Sequence, residues 1–120
     1  MCYHRDPVSW TIAYYSAAVQ EAIREWPPGL QARYVWITDL MGREGPHLGM
    51  PYTRPMGGGL FELRCRSHEG VGRAFYGMLP GRRIMLLHSF LKKTPKTPPR
   101  ELAVAYRRLK EVRSEDEGEQ

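Results

Sequence analysis

Apolar and polar positions change period several times along the 120-residue chain. Trp10–Tyr14 (WTIAY) has the aromatic and β-branched content of a strand. Ser16 stands where a helix N-cap is needed, and Val19, Ala22, Ile23 and Trp26 then recur at helical spacing on one face. Pro27-Pro28-Gly29 ends that helix and starts the next, because proline fits a first turn. Leu30, Tyr34, Ile37 and Met41 stripe the second helix, and the tight junction predicts a helical hairpin. Residues 42–59 hold three prolines and six glycines and read as a loop. Leu60–Ser67 alternates, with Phe61, Leu63 and Cys65 on one face and Glu62, Arg64 and Arg66 on the other. His68–Gly72 reads as a turn, Arg73–Leu79 as a strand, Pro80-Gly81 as a turn and Ile84–Lys92 as a strand. Turns this short imply antiparallel neighbours. Thr94–Pro99 is a proline-rich connector in which Thr97 can cap a last helix, with Pro98 at its first position. Leu102, Ala105, Tyr106, Leu109 and Val112 form that helix's core-facing stripe.

The order β-α-α-β-β-β-α predicts an α+β fold. A small twisted antiparallel sheet carries an N-terminal helical hairpin and a C-terminal helix. Helices on one face would leave the other to exposed cations. Length predicts a single domain, residues 1–113, followed by an acidic, apolar-free tail, 114–120, expected to be disordered. No apolar run approaches the ~20 residues of a spanning helix. The polar start MCYHRDP lacks a signal-peptide core, so the expected compartment is the cytoplasm, without membrane attachment. Cys2 and Cys65 are too few for a disulfide framework and read as unpaired thiols.

Charge changes the picture. Between Leu60 and Arg113 thirteen Lys and Arg stand against four acids, a net +9, while residues 1–59 balance to zero and 114–120 carry −4. The overall +5 therefore hides a basic half. A cation excess on a small sheet is the footprint of a polyanion binder. Arg64 and Arg66 share a face by alternation, Arg73 opens the adjacent strand, and Lys92 and Lys93 close the last one. Any single exposed arginine is ordinary. Packed together these cations repel, and an anionic partner offsets that cost. They suit a phosphodiester, which they can hold by charge-assisted hydrogen bonds and whose developing charge they can stabilise.

Phe61, Phe75, Tyr76 and Phe90 are interleaved with the cations and can serve the core or stack on bases. Phe75 and Tyr76 must face opposite sides of their strand. His88 is the one histidine inside an expected strand, and is either a packed sheet residue or a general acid–base. No pair of histidines has helical ligand spacing and there is no CxxC, so neither a metal nor a cofactor is expected. Gly57–Gly59 precedes a strand rather than a helix, so it is no phosphate-cradling loop. Composition and pattern alone end at a small basic domain that binds or cuts RNA.

Gly59-Leu60-Phe61-Glu62-Leu63-Arg64, Arg73-Ala74-Phe75-Tyr76, Ile84–Phe90, Lys92-Lys93-Thr94, Lys96-Thr97-Pro98 and Glu101 together resemble the HigB-like branch of the RelE/ParE toxin superfamily. These are the toxin halves of bacterial and phage type II toxin–antitoxin systems. The N-terminal strand and helical pair agree with that family in layout only, and MCYHRDPVSW has no counterpart. The resemblance implies a RelE-like fold and a ribosome-dependent mRNA endonuclease, in which the RNA 2′-hydroxyl attacks its own phosphodiester without a metal. It implies an antitoxin partner of helix-turn-helix, HigA-like type, a toxin–antitoxin hetero-oligomer, and the ribosome and mRNA as further partners. Position by position it makes Arg64 the strand-motif arginine, Arg73 the grip on the scissile phosphate, and the Lys92–Lys93 pair the source of a transition-state cation, with Lys93 placed among the catalytic residues. His88 and Phe90 match an HxF-type segment, Phe90 as the base-stacking ring. Arg66, Lys92 and Lys96 complete the RNA-binding set. The general acid–base is open between Tyr76 and His88. Two alternatives share the fold: a ParE-like topoisomerase inhibitor, and a non-catalytic member that only binds RNA or a partner.

Overall fold

A computed structural model of the chain describes residues 9–92 and 96–118. The elements run β1 (Thr11–Tyr14), α1 (Ala17–Arg24), α2 (Pro28–Glu44), β2 (Thr53–Gly57), β3 (Leu60–Ser67), β4 (Gly70–Leu79), β5 (Arg83–Lys92) and α3 (Pro99–Gly118). The five strands form one sheet in the order β1-β5-β4-β3-β2. Strands β2 to β5 are joined antiparallel by short turns, and β1 returns to pair parallel with β5.

Local chemistry explains the helical hairpin. Ser16 caps α1 by accepting the Val19 N–H, and Pro28 sits in the first turn of α2. The apolar stripe read from the sequence is the buried one: Leu30, Tyr34, Ile37 and Met41 all lie under α2.

Several features depart from the expectation. First, residues 42–59 are not all loop, because Thr53–Gly57 pairs with β3. Proline and glycine hide this strand in the sequence. Pro55 is tolerated because β2 is the sheet edge and a donor can be spared there. Gly57, Gly58 and Gly59 all take positive φ (101°, 65° and 87°), which turns the chain into β3 through a register shift. Second, the helices do not share one face. α1 and α2 pack on Leu63, Cys65, Ala74, Tyr76, Ile84 and Leu86. α3 covers Leu60, Phe75, Leu79 and Leu87 on the opposite side with Ala105, Leu109 and Val112. Half of each strand's apolar side chains point to each face, and both sets need cover. Third, α3 runs through 114–118, beyond the expected stop at Arg113, and Asp116 pairs with Arg83. Tyr106, read from the sequence as core-facing, is instead on the surface. Its hydroxyl donates to the carbonyls of Met56 (3.0 Å) and Gly57 (2.8 Å), tying α3 to the β2–β3 turn.

Gly72 locates a tight point between sheet and hairpin. A Cβ built there would lie 2.8–2.9 Å from three carbons of the Trp26 ring. The indole is buried and cannot yield easily. Gly72→Ala should therefore destabilise the fold by ~1–3 kcal/mol through overpacking, seen as a lower midpoint in urea denaturation with unchanged slope. An unchanged midpoint would show that Trp26 moves freely.

Candidate functional site

Strand register sorts the candidate residues into rows on the face that α3 only partly covers. Arg66 on β3 lies in line with Val71 on β4 and Lys92 on β5. The next row is Arg64, Arg73 and Phe90. The third is Arg54 on β2, then Glu62, Phe75 and His88. Residues directly opposite one another share a face, so Arg54, Arg64, Arg66, Arg73, His88, Phe90 and Lys92 form one array on that face. The apolar cover from α3 begins at the third row, over Phe75.

Arg73 is not an exposed cation. It is 2 % exposed, and beside it Glu62 is completely buried. Arg73 Nη1 lies 2.9 Å from Glu62 Oε2, and Arg54 Nε donates to Glu62 Oε1 at 2.9 Å. Arg73 Nη1 also donates to Thr97 Oγ1, so the connector before α3 is fastened to it. Burial pulls the Arg73 pKa below its ordinary value; Glu62 opposes this, while Arg64 and Arg54 add to it. One carboxylate thus sits between two guanidiniums, with Arg64 beyond ion-pair reach, and leaves a cation excess. Two donors lack an acceptor among the described residues: Arg73 Nε and Arg64 Nε, both buried. The Lys92 pKa is also lowered, by desolvation first and then by repulsion from Arg73 and Arg64. These features describe a cation cluster held together against its own repulsion, with spare donors for an oxyanion.

His88 lies one row from this cluster. Its Nε2 contacts Glu101 Oε1, and the two side chains are partly exposed. Glu101 comes from the first turn of α3, where a carboxylate also complements the helix N-terminus. The contact fixes the imidazole's orientation. Phe90 stacks beside His88 with ring centroids 5.8 Å apart and leans on buried Phe75 at 5.7 Å. Phe90 and Glu101 line a groove of about 460 Å³ between α1 and the start of α3.

The structure brings together Arg64, Arg66, Arg73, His88, Phe90 and Lys92. It separates Tyr76 from them. That phenol is buried on the opposite face, donates to the Pro46 carbonyl at 2.6 Å, and has its pKa raised by burial. The alternation of β4 requires this, so the expectation that Tyr76 acts at the site does not hold. Lys96 is exposed at the start of the connector to α3, and Lys93 lies outside the described residues. Sequence reasoning missed Glu62, Glu101, Thr97 and Arg54. For Glu62 there was a signal: a single acid two positions before Arg64 in a run otherwise cationic. Arg54 lay in a segment read as loop. Among the described residues no group of three or more His, Cys, Asp or Glu is placed to hold a metal ion, and no helix is long and apolar enough to cross a membrane.

The mixed sheet, the helical hairpin on one face and the C-terminal helix on the other define a small α+β domain of RelE-like fold. A chain of the solved archaeal RelE–RelB complex from Pyrococcus horikoshii OT3 superposes with a TM-score of 0.52 at 18 % identity, over 69 % of this chain and 94 % of that one. A family profile described as "Phage derived protein Gp49-like" matches residues 21–110, and the chain belongs to that family. No curated protein matches.

Proposed function

We propose that this chain is the toxin of a toxin–antitoxin pair, of HigB-like type, and acts as a ribosome-dependent mRNA endonuclease. The observation that carries the reading is His88, oriented by Glu101, one strand row from a guanidinium cluster with spare donors. Membership of the Gp49-like family and the RelE-like fold support it. The 2′-oxygen of the RNA bonds to the adjacent phosphorus and the 5′-oxygen of the next nucleotide leaves. The products are a 2′,3′-cyclic phosphate and a 5′-hydroxyl. With Nε2 engaged by Glu101, His88 exchanges protons with the substrate through Nδ1. Arg64 and Lys92 bind the phosphate and stabilise the charge on its oxygens, and Phe90 stacks on a base. Arg73 anchors the cluster through Glu62 and adds its field. An antitoxin, helix-turn-helix by resemblance, would neutralise the toxin; the similar archaeal RelE was solved in complex with RelB.

Induced expression in a bacterial host tests this reading, with growth followed and mRNA ends mapped by primer extension. The expected outcome is growth arrest with new, translation-dependent ends. Arg64→Ala should abolish both while the protein remains folded, since Arg64 is only partly buried. Arrest with intact mRNA would point instead to a protein target such as a topoisomerase. No arrest from soluble, folded protein would leave a non-catalytic binder.

A further inference from the structure

The array continues over the edge of the sheet. Pairing of β2 with β3 begins at Thr53 and Leu63, and Arg64 N–H donates to the Tyr52 carbonyl at 2.8 Å. Beyond that point the outer edge of β3 is uncovered by β2. A cleft of about 410 Å³ opens there, lined by Arg33, Pro51, Tyr52, Arg64 and Arg66. A groove of about 510 Å³ shares Arg33 and Arg66 and runs on past Trp36 to His68. Trp36 is 49 % exposed, unusual for so large an apolar ring. It leans on Tyr52 with centroids 5.4 Å apart, and the Arg33 guanidinium lies 5.6 Å over its ring. No carboxylate lines either opening. Glu69, beside the groove, is held by the Gly29 N–H at 2.7 Å. Among the described residues Arg33, Arg64 and Arg66 have no acid within ion-pair reach.

An exposed ring, Trp36, and a half-buried one, Tyr52, beside unneutralised arginines suit one class of ligand. Single-stranded nucleic acid offers unstacked π-faces and a phosphate at each step, whereas a duplex hides its base faces. An acidic peptide would satisfy the arginines but leave Trp36 and Tyr52 without use. We propose that this cleft is a second nucleotide subsite. It takes the single-stranded RNA that flanks the phosphate at Arg64, with bases stacked on Trp36 and Tyr52 and phosphates on Arg33 and Arg66. Arg64 belongs to both sites and joins them. The inference rests on the ribonuclease reading for the identity of the strand, but its test does not require cleavage.

The test is fluorescence anisotropy of the full chain with a labelled, uncleavable 2′-O-methyl oligoribonucleotide of about ten nucleotides. Trp36→Ala should weaken binding about tenfold or more, with Trp36→Phe retaining most of it. Arg33→Ala should reduce the slope of log affinity against log salt by about 0.7. Circular dichroism confirms that each variant is folded. Trp36→Ala binding within about twofold of the parent overturns the subsite, as does an absence of RNA binding by the parent. Poly-glutamate binding with the same Trp36 dependence would also overturn it, in favour of an acidic peptide. Trp36-dependent RNA binding by a chain that makes no new mRNA ends would sink the nuclease reading and keep the subsite. Cleavage with Trp36-independent binding would do the reverse.

Discussion

Arg73→Ala should lower the stability of the fold by about 3–5 kcal/mol, because it strands a buried charge. Glu62 is completely buried and its carboxylate is shared between Arg73 and half-exposed Arg54. Removing Arg73 leaves that carboxylate with a single partner, and Thr97 loses its donor. For a domain this size that is a large share of a total of ~5–15 kcal/mol. Urea denaturation followed by circular dichroism gives the number. The double variant Glu62→Gln/Arg73→Ala should recover part of the loss, since the buried charge is gone from both sides of the cycle. A change in Arg73→Ala below ~0.5 kcal/mol would mean that Glu62 is solvated or protonated in the folded chain. The consequence for function is direct. Loss of toxicity in Arg73→Ala cannot be assigned to a phosphate contact, because the fold is weakened with it. Arg64, opposite it on β3 and partly exposed, separates binding from stability.

His88→Asn should slow mRNA cleavage by ~10²–10⁴-fold if the imidazole moves a proton in the reaction. The measurement is the rate of cleavage in a reconstituted translation reaction as a function of pH. The limb of the profile belonging to the imidazole should disappear in the variant. His88 and Glu101 are partly exposed, so stability should change by less than ~1 kcal/mol, the range of an exposed ion pair. Glu101→Gln should cost less than His88→Asn, because an amide still accepts a hydrogen bond from Nε2 and holds the ring. A positioning role predicts this rescue; loss equal to that of His88→Asn would make Glu101 the proton-transfer group itself. Cleavage by His88→Asn within about threefold of the parent would remove His88 from the chemistry and leave it a packed sheet residue.

The division between what the chain spells out and what folding adds is visible in single residues. Periodicity alone placed Leu30, Tyr34, Ile37 and Met41 under α2 and put Arg64 and Arg66 together on one face of β3, because backbone geometry links side-chain direction to sequence spacing. It also required Phe75 and Tyr76 to part, which already counted against one of them. The edge strand β2 escaped it: Pro55 and the three glycines argue against a strand everywhere except at a sheet edge, and edge position is a property of the assembled sheet. Glu62 illustrates the same limit more sharply. By alternation it belongs with exposed polar residues, yet it is buried because Arg54, from a strand the pattern missed, and Arg73, from the next strand, converge on it. Glu101 reaches His88 only once α3 has crossed the sheet face. Local spacing and composition were enough to read the helices, three of the antiparallel strands and the sign of the surface charge. Which charges neutralise one another, and which remain for a ligand, was settled in the folded chain, because that depends on distances between segments far apart in sequence.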